Sequence, residues 1–386
     1  MQPLTWLDAL KLRVSYGLTG NIDANSTSYL TARIKTNGLN GQWQGEVDTP
    51  PNDQLRWEKT STWNGGLDFA FLGYRLNGSI DLYRKNGSDL LTDVALDCTT
   101  GVPGAKQKLN AGCMVNRGVE FQLQGRILQQ RSRKDVGVNM TANFGYNKNK
   151  VTKVYFHPTT GAEFRQMELK QGYPLNSMIS LDYAGLVKED KMIYGTWRDH
   201  NGEVHNTSTS SADFTIEDCI YSGTTTPTWT GGFTPEVKWN GFTLTGMFSF
   251  YGGNVMRVSP VIWNTTYGYD GKCPESALDY WNGVEGAIPN GYQTKYLKNG
   301  TVGSADFRNV EKGNYMKLRS LVLNYDFDNK LIRRLGINDL RLRFQIDNVC
   351  TWVANSAGWD PEGTTLVNGR PMKQPRSYTM SLYFNL

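Results

Sequence analysis

Strict alternation of apolar and polar residues, sustained over stretches of ten residues or more, most narrows what this chain can fold into. At the C-terminus Tyr378, Met380, Leu382, Phe384 and Leu386 alternate with Ser377, Thr379, Ser381, Tyr383 and Asn385. Leu340, Leu342, Phe344 and Ile346 alternate with Arg341, Arg343, Gln345 and Asp347. Val119, Phe121, Leu123 and Ile127 do so with Glu120, Gln122, Gln124 and Arg126. Near the start, Leu10, Leu12, Val14 and Tyr16 alternate with Lys11, Arg13 and Ser15. A period of two places successive side chains on opposite faces of a strand. The pattern predicts about twelve strands, near 9–18, 54–72, 74–92, 114–130, 136–150, 163–171, 175–187, 227–239, 241–256, 311–327, 339–351 and 376–386. Many exceed the usual strand of about five or six residues.

The connections alternate as well. Short ones fall at Leu72–Arg75, Arg131–Asp135, Gln171–Pro174, Trp239–Gly241 and Asp328–Asn338. Long ones are expected near 19–53, 93–113, 188–226, 257–310 and 352–375, with a shorter one at 151–162. Short turns on one side and long loops on the other is the pattern of an all-β transmembrane antiparallel barrel. In lipid, backbone polar groups must be satisfied by neighbouring strands, and the outer face must be apolar. Such a barrel puts the last strand's end on the periplasmic side and the long loops outside the cell. A soluble sandwich or propeller also alternates, because one face packs a core. Its strands are shorter, and the chain shows no repeat of fixed period.

Composition removes other classes. Aromatics make up 12% of the 386 residues, too many for a disordered chain. No apolar run approaches the eighteen or so residues of a spanning helix. A net charge of +5 over this length does not argue for nucleic acid. The first ten residues lack the basic and apolar segments of a signal peptide.

Several stretches resemble the SusC/RagA family of TonB-dependent outer-membrane transporters, typical of Bacteroidetes. They are LKLRVSYGLTGN (Leu10–Asn21), WEKTSTWNGGLDFAFLG (Trp57–Gly73), NRGVEFQL (Asn116–Leu123), GYPLNSMISLDYAGL (Gly172–Leu186), the Thr226–Arg257 strand pair, and GWDPEG near the C-terminus. The resemblance covers nearly the whole chain. It implies that residues 1–386 form the C-terminal part of a barrel of about 22 strands, with the plug domain absent. It implies import of oligosaccharides or peptides across the outer membrane, a SusD-like lipoprotein over the loops, and TonB–ExbB–ExbD acting through the missing plug. Outer-membrane lipid would surround the wall. A truncated remnant without transport, and a soluble glycan-binding β protein, are the alternatives.

No catalytic constellation and no cofactor motif is evident. Asp199–His205 gathers two histidines and acids, but without the spacing of a zinc site, so no metal is expected. Asp360–Pro361–Glu362–Gly363 reads as an acidic turn. Aromatics in the long loops are the expected ligand-binding residues: Trp43, Trp197, Trp263, Tyr267, Tyr269, Trp281 and Trp359, whose flat rings suit sugars or peptides. Packing of the loops on one another is the competing role. Trp229, Trp239, Tyr325 and Phe384 read as interfacial girdle residues. Arg341, Arg343, Glu120, Arg126 and Lys238 read as lumen-facing. Cys98 and Cys113 flank one long loop and could staple it; Cys219 and Cys273 could pair across two loops, leaving Cys350.

Overall fold

The computed structural model describes residues 6–23, 28–96, 99, 106–189, 192–206, 214–257, 293–294, 310–328, 338–356, 358–363, 366–367, 370–371 and 374–385. Ten strands form one antiparallel wall: β1 (Leu7–Asn21), β2 (Glu58–Phe71), β3 (Leu76–Ala95), β4 (Lys106–Leu128), β5 (Gly137–Val154), β6 (Trp229–Trp239), β7 (Phe242–Gly252), β8 (Tyr315–Asp326), β9 (Asp339–Val353) and β10 (Ser377–Asn385). Each pairs with its predecessor, and β1 and β10 are the two edges of the sheet. Alternation set this register, because a slip of one residue would turn every apolar side chain to the polar face. The β6–β7 turn is Asn240–Gly241, both at positive φ (47° and 88°). Asn-Gly suits such a two-residue hairpin turn, since Asn tolerates and Gly freely adopts the left-handed region.

One face of the wall is apolar and uncovered. Leu12, Val14 and Leu18 of β1 are 75%, 72% and 71% exposed, and Met380 of β10 is 72% exposed. Aromatic side chains mark both margins of this face. On β6 they are Trp229 at one end and Trp239 at the other, eleven residues inclusive. At about 3.3 Å per residue and a tilt of about 40°, the two rings stand about 25 Å apart in height, the thickness of an outer-membrane apolar band. Tyr16 and Trp63 join the upper margin, with ring centres 4.6 Å apart. Phe242 and Tyr325 join the lower one at 4.5 Å. Trp229, Trp239, Tyr325 and Phe384 all stand at or next to strand ends.

The opposite face is polar and internally paired. Arg13 on β1 holds Asp68 on β2 through two bonds of 2.8 Å and reaches Asp81 on β3 at 3.1 Å. Glu236 accepts from Asn139 at 2.9 Å and pairs with Lys238 at 3.1 Å. Arg341 pairs with Asp326, and Arg343 donates to Gln345. Arg126 and Glu120 share this face with them by strand parity.

The wall has ten strands where about twelve were expected. Residues 163–171 are not a strand. They begin within α1 (Gly161–Gln166), fixed by a capping box between Thr160 and Glu163. Residues 175–187 break into short strands, Ser177–Ser180 and Asp182–Glu189, which pair with loop strands Ile220–Thr224 and Met192–Arg198 rather than with the wall. Local capping and loop pairing override the alternation there. The loop after β1 contains a hairpin, Thr31–Thr36 with Trp43–Thr49. Between β7 and β8 most of the long loop, 258–292 and 295–309, lies outside the described residues.

Candidate functional site

The long-loop end of the wall is where side chains become buried. Tyr315, Lys317 and Arg319 occupy alternate positions on β8 and share the polar face. A bulge between Leu318 and Ser320 interrupts the ladder with β9 just there. Above them sits the loop after β9. Asn355 and Trp359 exchange bonds of 2.8 Å, Oδ1 accepting the Trp359 amide and Nδ2 donating to its carbonyl. Asp360 Oδ1 then accepts the Glu362 amide at 3.0 Å, which fixes the acidic turn.

Loop and wall meet through four charges. Lys317 Nζ donates to Asp360 Oδ2 at 2.8 Å and to Glu362 Oε2 at 2.7 Å. Arg319 grips Glu362 with both terminal nitrogens, one at 2.8 Å, and gives its Nε to Ser249 Oγ at 2.7 Å. Tyr315 Oη completes the set on Glu362 Oε1 at 2.8 Å. The Lys317 and Asp360 side chains are 4% and 1% exposed. Burial would raise the Glu362 pKa, but bonds from Arg319, Lys317 and Tyr315 outweigh it and hold it at about 2. Two cations and two anions cancel, so the cluster is a clasp between loop and wall. Beside it lies a cavity of about 270 Å³, lined in part by Lys317, Arg319, Asn348, Gln374 and Arg376. Such a recess, with Leu318, Val349 and Cys350 also in its wall, is just below the usual size of a small-ligand site.

A second body of loop covers the polar face near β3 to β5. Val151, Val154 and Leu169 form a buried cluster with Leu90 and Leu175 around them. Next to it, Leu181, Trp197 and Phe214 form another. His205 stacks on Trp197 with ring centres 4.7 Å apart, and its Nε2 lies 3.0 Å from Asp199 Oδ2. His200 Nδ1 lies 2.7 Å from Asp218 Oδ1. Bonding to Asp218, against some burial, raises the His200 pKa; burial opposes the Asp218 shift, but bonds from His200 and Thr215 bring that carboxyl down to about 2. Asp199, Glu203 and His205 offer donors within 4.8 Å of one another. Asp199 already accepts the amides of Asn201 and Glu203, so turn formation accounts for the convergence.

The expected binding aromatics separate. Trp43 is 77% exposed on the projecting hairpin. Trp359 is half-buried, with its backbone pinned by Asn355. Trp197 is 7% exposed and packed on Phe214, which makes it part of the loop core and not a platform for a ligand. Trp263, Tyr267, Tyr269 and Trp281 lie outside the described residues. Cys113 is a free thiol with Sγ 3.9 Å from Tyr155 Oη. Its expected partner Cys98 lies outside the described residues. Cys219 is also free; burial pushes its thiol up to about 11, and Cys273 lies outside the described residues. The clasp was missed from the sequence because Lys317 and Asp360 are 43 positions apart. The one signal was a pair of cations, Lys317 and Arg319, at alternate positions of one strand.

Residues 4–349 match a family profile described as "TonB dependent receptor-like, beta-barrel". The chain is 26% identical to the TonB-dependent receptor P3 of Formosa agariphila, over 93% of this chain and 36% of that protein. It is 29% identical to the TonB-dependent receptor SusC of Bacteroides thetaiotaomicron, over 51% of this chain and 20% of that protein. Its structure superposes on that of the RagAB peptide transporter with a TM-score of 0.73 and 27% identity, covering 99% of this chain and 41% of that one. The chain thus spans about two-fifths of that solved chain and about a third of the P3 protein.

Proposed function

The chain belongs to the TonB dependent receptor-like β-barrel family, and from that membership we propose that it forms wall and outer mouth of an outer-membrane importer for oligosaccharides or peptides. The observation that carries this reading is the apolar face bounded by aromatic rings about 25 Å apart, with every long loop at one end. That face suits hydrocarbon, and the polar face suits a solute path or a plug. The two edge strands, β1 and β10, leave backbone groups to be paired by further strands of the same barrel. TonB would supply energy through a plug outside this chain. A SusD-like lipoprotein would cover the long-loop end, and the clasp would hold the Asn355–Gly363 loop rigid beneath it. Trp43, standing out from the surface, would contact solute or lid; Trp359 would line the mouth.

Uptake assays test this directly. A strain lacking the gene is complemented with the wild-type gene or with Trp43→Ala and Trp359→Ala, and uptake of labelled oligosaccharides and peptides is followed. Uptake of one class should return with the wild-type gene, depend on TonB, and fall with the double variant. Uptake that persists without TonB would sink the proposal.

A further inference from the structure

The upper margin of the apolar face holds cations that no carboxylate meets among the described residues. Arg84 on β3, Arg117 on β4 and Lys148 on β5 are direct register partners across three neighbouring strands. Their row begins with Tyr16 and Trp63, the aromatic pair of the upper margin. Strand parity puts them on the same face as the exposed Leu82, Val119 and Tyr146, the uncovered apolar face. Lys150 follows one step above Lys148 on that face. All four are exposed, and none has an ion-pair partner among the described residues. The contact of Arg84 is with a neutral group, Asn86 Oδ1 at 3.1 Å. Elsewhere on the chain, arginines of the polar face such as Arg13 and Arg319 are matched to acids. Lys148 also lines a cavity of about 180 Å³ whose polar walls include Asn149, Thr226 and Thr228.

Position decides the ligand. Adjacent strands are about 4.8 Å apart, so the three cations span about 10 Å along the girdle. Girdle residues sit where hydrocarbon gives way to headgroups. Guanidinium groups bind phosphate in a bidentate fork, and unpaired cations at that depth gain most from a fixed anion. On the reading of this face as membrane-embedded, we propose that Arg84, Arg117 and Lys148, with Lys150, bind the phosphorylated headgroup of an outer-leaflet glycolipid.

The test uses the outer-membrane protein that carries this chain, extracted in mild detergent and examined by native mass spectrometry. It is titrated with a diphosphorylated glycolipid, with the same glycolipid after dephosphorylation, and with inorganic phosphate. Wild-type protein should prefer the diphosphorylated form. Each cation near a charged lipid surface is worth roughly fivefold in affinity, so Arg84→Gln/Arg117→Gln/Lys148→Gln should weaken binding on the order of a hundredfold. Lys85→Gln alters a neighbouring cation on the polar face and should leave binding unchanged. Equal binding of both glycolipid forms by the wild type, or a triple variant that binds like the wild type, overturns the proposal. Displacement by inorganic phosphate at matching concentration assigns the patch to a soluble anion and overturns the lipid. Recovery of the wild-type protein outside the outer-membrane fraction defeats the barrel reading itself, whereas a membrane-inserted, lipid-indifferent protein defeats only this inference.

Discussion

The wall and the long-loop end of this molecule obey opposite rules. On the wall, Leu12 and Met380 are more than 70% exposed, and cohesion comes from a ladder of ten strands. At the loop end, Val151 is 0% exposed and Asp360 is 1% exposed, and cohesion comes from side chains, as in a soluble domain. On the proposed membrane reading, the difference follows from the solvent that each region meets. Hydrocarbon rewards apolar side chains where they stand and penalises unpaired backbone, while water rewards burying them. Substitutions should therefore rank differently in the two regions.

The largest expected effect is at the clasp. Lys317→Ala leaves Asp360 buried without its cation, which should loosen the Asn355–Gly363 loop by about 3–5 kcal/mol. Hydrogen exchange of that loop reads the change. The paired substitution Lys317→Met with Asp360→Leu removes both charges and should cost far less. A silent Lys317→Ala would mean that water reaches Asp360, and the contrast between the two regions would shrink. On the wall the sensitive direction is reversed. Met140→Arg places a cation near mid-height of the apolar face and should destabilise the barrel by about 2–4 kcal/mol, whereas Val136→Arg near the short-turn margin should cost about 0–1 kcal/mol. Unfolding from vesicles in denaturant measures both. Equal costs at the two depths would break the assignment of this face to lipid.

What the sequence could reveal divides along the same line. Alternation exposed the wall, since Leu340 to Asp347 carries its own face assignment residue by residue. The Trp229 and Trp239 girdle followed from the same count. The loop end was opaque because its order is not periodic. Trp197 looked like a binding aromatic, since nothing local says that Phe214 will cover it. The stretch 163–171 reads as a strand on alternation alone, while the structure shows a Thr160–Glu163 box starting a helix there. Lys317 pairs with Asp360 only after two strands and a loop have been placed.

A smaller effect tests the loop end by pH. Asp218, with its pKa lowered from 3.8 to about 2, stabilises the fold above about pH 4, and that contribution is lost as pH falls toward 2. His200, raised above 6.5, contributes fully below 6.5, and its share is lost as pH rises through the raised value. Glu217 lies 3.3 Å from His200 Nε2 and acts in the same direction, as does Asp199. Protection of residues 197–206 and 214–218 against hydrogen exchange, corrected for intrinsic rates, should peak between about pH 4 and 6.5. His200→Gln should flatten the alkaline limb and leave the acid limb largely in place. The wall, whose ladder carries no such pair, should show no matching peak.

The smallest effect belongs to α1. Six residues are too few for a helix to persist alone in water. What holds it is the box, in which Thr160 Oγ1 accepts the Glu163 amide at 3.2 Å and Glu163 Oε2 accepts the Thr160 amide at 3.4 Å. Ala162 of its first turn packs against the Leu181, Trp197 and Phe214 cluster, and Cys219 Sγ lies 3.8 Å from the Gly161 carbonyl. Thr160→Ala should cost about 1 kcal/mol of local stability and Thr160→Ser much less, since serine keeps the accepting oxygen. The measurement is exchange at the Glu163 and Phe164 amides. If both variants behave alike, packing on Phe214 alone fixes this segment, and the soluble-domain logic of the loop end rests on burial without capping. If they differ as expected, a single hydroxyl is what turned residues 163–166 from the strand that their alternation proposed into a helix.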